Sequence, residues 1–314
     1  MRRSGDFGRR LAAMIVLVGA STALLGADPA GVRLDEGRAY LGLPQQEAHL
    51  VYRFDGVPFK PYVERLLTPS GVNILRDAPS DHLHHHGLMF AVAVDNVNFW
   101  EEKEAPGIQR HRGNVNVKSI ARVRHTLTGT LDWIDPKVDK PLLVEDRSVE
   151  LYQDGDLEYT LATWESKFSL PEGKSDATLA GSEYFGLGMR FVESMDKGGR
   201  FFNADGAEGV AGTNKSKSKW CAYTAMADGK PVTVAMFDHP ANLRYPATWF
   251  TLETGFAYLA ATLSLKEQPQ VITAPLALRY GVAVWDGEAK PRAINKAYEQ
   301  WLKIVNDPSW RTVQ

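Results

Sequence analysis

The stretch Ser148–Trp164, SVELYQDGDLEYTLATW, decides the fold. Polar and apolar residues alternate on both sides of Asp154-Gly155, the pattern of two half-buried strands joined by a turn. Alternation sends successive side chains to opposite faces, so the apolar face of such a hairpin needs a second layer to cover it. Val117–Trp133, VKSIARVRHTLTGTLDW, alternates in the same way. Pro231–His239 and Leu278–Gly287 are β-branched, apolar and bounded by turn residues. One helix stands out in Lys290–Asp307, where Ile294, Ala297, Tyr298, Trp301, Leu302 and Val305 form a stripe and Pro291 suits the first turn. Its aromatics are expected to pack on a sheet. Gly198–Asn214, rich in glycine, reads as long loops. The pattern predicts an all-β fold: a large antiparallel β-sandwich of two packed sheets with a C-terminal amphipathic helix.

Composition narrows the class. The chain has 314 residues, 24% of them charged and 44% hydrophobic, which is ordinary for a globular protein. The N-terminus reads differently. Arg2, Arg3, Arg9 and Arg10 precede the apolar run Leu11–Ala27, the layout of a secretory signal cut after Ala27. The run is short and diluted by small residues, which disfavours a membrane anchor. Residues 28–314 are then expected to form a single β-sandwich catalytic domain, periplasmic or secreted, with no membrane span once the signal is removed. The net charge of −2 becomes more acidic without those arginines, which disfavours nucleic acid as a partner. The single cysteine, Cys221, excludes an internal disulfide and reads as a buried thiol. No glycine-rich phosphate loop joins a strand to a helix.

Four of the eight histidines stand together in Ser80–Trp100, SDHLHHHGLMFAVAVDNVNFW. Crowded imidazoles repel one another when charged, and each ring needs hydrogen-bond partners or a metal. If the run is extended, His82, His84 and His86 share one face and His85 takes the other. A possible divalent metal would take His82 and His84, with a third ligand from Asp238, His239 or His111. The carboxylates that follow, Asp95, Glu101 and Glu102, stand too far along for a cupin pattern. In acid–base chemistry, Asp81 would orient His82 as a carboxylate orients a catalytic histidine.

A second polar block is Phe237–Phe250, FDHPANLRYPATWF. A strand ends at Asp238 and two prolines pin the loop, which suits a loop that fixes polar groups. Asp238 and His239 stand at its start. Asn242 and Arg244 are candidates to hold a substrate, Arg244 by forking onto a carboxylate or vicinal hydroxyls. Trp249, like Trp100, is a candidate to stack on the apolar face of a sugar.

Together the two blocks resemble the PmoA-like family of exported bacterial proteins, named after a methane oxygenase subunit whose membrane spans it lacks. Asp81, His82, His84, His85 and Gly87 match the family's first block. Asp238, His239, Pro240, Asn242, Arg244, Pro246 and Trp249 match the second. Ser182–Phe191 and Phe201–Gly209 resemble further blocks. The family more often has arginine where His86 stands, and Glu253–Ala261, ETGFAYLAA, departs from its usual aromatic-glycine pair. The resemblance implies carbohydrate chemistry.

The sequence thus predicts an exported carbohydrate-active enzyme, a lyase, hydrolase or isomerase, acting on a carbohydrate or other small molecule. Asp81, His82, His84, His85 and His239 are the expected catalytic groups. Asn242, Arg244, Trp249, Trp100, His86 and Asp238 are the expected substrate contacts. Both blocks are expected in one cleft. Of the carboxylates Asp81, Asp238, Glu183 and Glu101, no motif marks a hydrolase pair. The alternatives are a metal-dependent oxidoreductase with a His-ligated metal and a non-catalytic carbohydrate-binding protein.

Overall fold

The computed structural model describes residues 31–42, 47–120 and 123–307. The expected signal segment lies outside the described residues. The alternating hairpin forms as expected, with strands Lys140–Tyr152 and Tyr159–Ser169 paired from Tyr152↔Leu161 to Val144↔Ser169. Its turn is longer than Asp154-Gly155 alone and is closed by Leu157 N–H donating to Asp154 O at 2.9 Å. Val117–Trp133 divides into two strands, Asn116–Ile120 and Arg124–Asp135, which fold back on each other. Gly198–Asn214 is not all loop. Arg200–Asn203 is an edge strand and Gly209–Thr213 a short helix, built around Asn203, whose side-chain oxygen accepts from Asp205 and Ala207 N–H.

Among the described residues, two large antiparallel sheets form the sandwich. In the first, eight strands run in the order Val32–Asp35, Arg38–Leu41, Leu50–Arg53, Tyr62–Leu66, Leu88–Ala91, Gly186–Arg190, Tyr258–Thr262, Thr248–Leu252. In the second, Arg200–Asn203, Trp220–Ala227, Lys230–Asp238, Leu276–Asp286, Tyr159–Ser169, Lys140–Tyr152, Arg124–Asp135 and Ile108–His111 follow in order, with Asn116–Ile120 also on Arg124–Asp135. A small third sheet joins Gln270–Ile272, Ala177–Ala180, Ala93–Val94 and Val97–Asn98. The apolar run after the histidines therefore serves two sheets, changing at Val92.

Period-two alternation sorts the faces. Leu88, Phe90, Leu187, Met189, Trp249 and Leu259 point from the first sheet toward the second and are fully buried. There Phe90 meets Trp133 and Phe168, and Phe191 meets Tyr223 at 5.1 Å between ring centres. The C-terminal helix, Pro291–Asn306, covers the far face of the second sheet. Trp301 donates its indole N–H to Thr163 Oγ1 at 2.9 Å and lies over Gly281, where a Cβ would approach it to 2.8 Å.

The two sheets are also joined by a polar bridge. Glu145 and Arg147, both with fully buried side chains, pair at 2.7 Å on the second sheet. The Arg147 guanidinium reaches across to Tyr52 Oη at 3.0 Å and Pro61 O at 3.2 Å. Trp133 Nε1 and Ser166 Oγ donate to Glu145, so every strong group in the bridge is satisfied. Such a pair offsets its desolvation only while complete. Glu145→Gln should therefore lower the unfolding free energy by ~3–5 kcal/mol in urea titration, because the Arg147 charge stays buried. Replacing both at once, Glu145→Leu with Arg147→Met, should recover most of that loss. A Glu145→Gln chain that unfolds like the original would show that the bridge contributes nothing.

Candidate functional site

The histidine run is not extended. Arg76–Pro79 and His85–Gly87 pair as a tight hairpin, with Ala78 N–H donating to His85 O and Gly87 N–H to Arg76 O. Its tip is made of turns, with His82 N–H donating to Pro79 O and His85 N–H to His82 O, each at 2.9 Å. Pro79 and the short polar residues favour these turns over a strand. The tip breaks the expected alternation. His82, His84 and His85 come together, and His86 alone turns away. Gly87 adopts φ +35°, and a Cβ there would lie 2.1 Å from Val63 O, so only glycine lets the hairpin reach the sheet so closely.

The three clustered rings sit on the outer face of the first sheet. Arg190 and Tyr258 are register partners, so both side chains leave on that face, opposite to Met189 and Leu259. His82 stacks on His85 at 4.7 Å, and His84 meets His85 edge-on at 4.7 Å. His84 and His85 both contact Trp100, at 5.1 and 5.2 Å. Trp100 is held in turn by Phe185, stacked at 5.5 Å, and by Tyr184. Phe256 and Tyr258 close the far side against His85. The result is an aromatic platform with His84, Asp81 and the exposed Leu83 at its solvent edge.

Electrostatics divide the histidines. Burial, followed by the neighbouring His84 and His82 rings and Arg190, pushes His85 down to about 2. Burial with the Lys60 and His82 charges pushes His84 down to about 4, so this half-exposed ring is a neutral imidazole at pH 7. Asp81 Oδ2 lies 3.2 Å from His82 Nδ1, poorly aligned for a hydrogen bond, and 3.2 Å from Arg190 Nη2, which donates to it. Burial works against the Asp81 charge, but His82 and Arg190 outweigh it and hold the carboxyl below its ordinary range.

His86 has a different role. Its Nδ1 lies 2.7 Å from Asp77 Oδ1 and its Nε2 lies 2.9 Å from Glu102 Oε1. With a carboxylate on each nitrogen, the ring is an imidazolium donating twice. Burial opposes that charge, yet Asp77 and Glu102 raise His86 above its usual value. Its ring stacks on Tyr62 at 4.6 Å, and Tyr62 also donates to Asp77 Oδ2 at 2.7 Å. The buried Lys60 completes the chain, donating to Glu102 Oε1 at 2.5 Å.

The second block is elsewhere. Asp238 is buried and accepts from Asn242 Nδ2 and Ala247 N–H, each at 2.7 Å. Burial raises it to about 7 despite those bonds. Asn242 also clamps Arg279 through both its backbone groups. His239 faces the C-terminal helix, meeting Trp301 at 5.8 Å and Asn306 Oδ1 at 3.2 Å. Arg244 donates to Leu263 O at 2.6 Å, beyond the end of the strand that begins with Tyr258. Trp249 points inward, 0% exposed, with its indole N–H on Ser218 O, so it offers no face to a sugar. The single shared cleft expected from sequence does not form. The first block lies on the outer face of the first sheet and His239 on the outer face of the second, because each follows its own sheet. Glu183 pairs with Lys215 and Lys266 at the surface, and Glu101 accepts from Tyr184 Oη at 2.8 Å beside the platform. Cys221 is buried. Among the described residues, no three of His, Cys, Asp or Glu converge as metal ligands. His82 and His84 therefore find no third ligand in His111, which instead contacts Tyr52 Oη at 3.1 Å.

Sequence reading misses Arg190, Lys60, Asp77, Phe256 and Tyr258 as site residues, and sets Glu102 aside as too far along for a cupin pattern. A charge ending the glycine-rich apolar strand GLGMR was the one local signal, for Arg190. Lys60 and Glu102 meet across 42 residues with no motif to announce them.

The His86 clamp has a pH signature. Its raised value means that its contribution is complete below the unfolded histidine value and is lost as pH rises through the folded one. Asp77 and Glu102, both held low, stay ionised over this range. Thermal melts from about pH 6 to about pH 9 should show the original chain losing its advantage over His86→Gln as pH rises. A constant gap would count against an imidazolium at this position.

Two solved structures align with the chain at low similarity. The alpha-galactosidase from Lactobacillus brevis aligns over 82% of this chain and 39% of its own, at 7% identity and a TM-score of 0.42. A chain described as a kojibiose phosphorylase from the human microbiome aligns over 87% of this chain and 36% of its own, at 9% identity and a TM-score of 0.33. This chain thus spans well under half the length of either. No curated protein matches it. A family model matches residues 46–299, from just before the strand Leu50–Arg53 into the C-terminal helix, and the chain belongs to that family of unknown function, DUF6807.

Proposed function

We propose that this protein is an exported carbohydrate-active enzyme whose proton-transfer group is His84. The observation that carries this reading is the state of His84: a half-exposed imidazole kept neutral near neutral pH, at the open edge of an aromatic platform. A neutral ring within reach of solvent can accept a proton from a bound hydroxyl or C–H group and return it. Burial and the Lys60 charge keep the ring neutral, and Glu102 and His86 hold Lys60 in place. Tyr184 and Phe256, both partly exposed, supply apolar surface of the kind that packs on sugar C–H groups, while Trp100, expected as a substrate contact, is buried beneath them and backs the platform. The resemblance of the histidine block to the PmoA-like family supports the same substrate class. Reaction type stays at the level of a lyase, hydrolase or isomerase that uses histidine. Arg244, Asn242 and His239 have no part in it, because their bonds hold the second loop to the strands and the helix.

Export rests on the sequence of residues 1–27, and mass spectrometry of protein from the native host should find a chain beginning at Asp28. A screen of oligosaccharides and oxidised sugars, run with and without a chelator, identifies the substrate. On that substrate His84→Ala should lose ~10²–10⁴-fold in kcat/KM with the fold intact. Below its pKa His84 is an imidazolium and cannot accept a proton, so kcat/KM should fall on the acid side with an apparent pKa of about 4. Full activity in His84→Ala would exclude the histidine as the base.

A further inference from the structure

We infer that the substrate carries a carboxylate, as in a uronic or aldonic acid sugar, and that Arg190 receives it; this rests on the carbohydrate reading of the same platform. Arg190 is 1% exposed, and the one hydrogen bond of its side chain among the described residues is Nη2 donating to Asp81 Oδ2 at 3.2 Å. Nε and Nη1 have no partner among the described residues. Buried guanidinium N–H groups are almost always paired, and leaving them unpaired costs free energy unless a ligand uses them.

The neighbouring polar atoms lean the same way. Tyr258 Oη and Trp100 Nε1, both buried, meet no group in good hydrogen-bond geometry beyond their approach to each other, in which the indole N–H faces the phenol oxygen. His82 Nδ1 and His85 Nδ1 also lack a partner among the described residues. The Arg190 Nε and Nη1 groups and the Tyr258 hydroxyl are donors left to a ligand, so the ligand that completes them is rich in acceptors. The charged groups facing the guanidinium are few. Asp196 Oδ2 stands 3.8 Å away, with its other oxygen taken by Ala257 N–H and Arg76 alongside at 3.7 Å. Asp81 is the carboxylate in hydrogen-bond contact, and its side chain is 46% exposed. The guanidinium carbon lies 3.8 Å from the centre of the partly exposed Phe256 ring. Among the described residues, Asp81 and Phe256 touch the Arg190 side chain and also reach solvent. Asp81 Oδ2 stands in for the oxygen of an incoming carboxylate. Its displacement frees Nη2 and opens the planar fork that binds carboxylates bidentately. His84, at the same platform, would then meet the sugar bearing that group.

Calorimetric titration of the mature chain with acidic disaccharides and their methyl esters tests this. The panel is digalacturonate and the corresponding glucuronate and mannuronate disaccharides, each beside its dimethyl ester, with galactobiose and cellobiose as neutral sugars. At least one acid should bind about tenfold or more tighter than its ester. Asp81→Asn removes the internal competitor and should tighten that acid while leaving the ester unchanged. Arg190→Lys, which keeps the charge but loses the fork, should erase most of the preference. Equal affinity for acid and ester, or binding confined to neutral sugars, overturns the carboxylate assignment and leaves the carbohydrate reading standing. No binding by any member overturns both. Asp81→Asn weakening the acid would show that Asp81 is a ligand contact and not a stand-in.

Discussion

Arg190 is the residue on which the site depends, through its backbone before its side chain. Its N–H donates to Gly87 O and its C=O accepts from Arg76 N–H, so both arms of the histidine hairpin are fixed to this one position. Its register partner is Tyr258, which delivers the Tyr258 ring and the guanidinium to the same face. The pairing demands close approach. Gly188, two residues earlier, gives the Tyr258 hydroxyl room that a Cβ would occupy at 2.0 Å, and Gly87 does the same for Val63 O. Larger residues at these points would hold the hairpin away from the sheet, and the rings would not stack.

Around that anchor the site separates charge from neutrality. His86, Asp77, Glu102 and Lys60 form a buried chain of alternating charge on one side of the hairpin, where each group meets an opposite one. His84 and His85 face aromatic carbon on the other side and stay neutral. The division follows from solvation. A charge is stable in a protein interior only where hydrogen bonds and counter-charges replace water, and Trp100, Phe256 and Tyr258 offer no counter-charge. One run of four neighbouring rings thus contains a stabilised cation and neutral bases, which sequence spacing alone does not distinguish.

The second polar block shows how a motif can be structural. Asp238, Asn242 and Arg244 spend their hydrogen bonds on Ala247, Arg279 and Leu263, so the loop carries the chain from one sheet to the other. A rigid crossover needs polar residues and prolines for the same reason that a binding loop does. Both must fix the backbone without a neighbouring strand, and so the two are alike in sequence.

The sequence by itself determined the layers of this protein. Period-two alternation in Ser148–Trp164 and the stripe of Ile294, Tyr298 and Trp301 dictate which faces must be buried, and burial of apolar area is local to each element. It also marked the histidine run, since crowding ionisable rings is costly without a purpose. Tertiary structure alone decided which histidines meet and what they meet. The turns at Pro79–His85 broke the alternation that had grouped His86 with His82 and His84. Lys60 and Glu102 arrive from loops, and Arg190 from a distant strand, all placed by the register of the whole sheet. His239 lay beyond reach because its strand belongs to the second sheet, and strand order across a sandwich depends on long-range pairing that leaves no mark in a short stretch of residues.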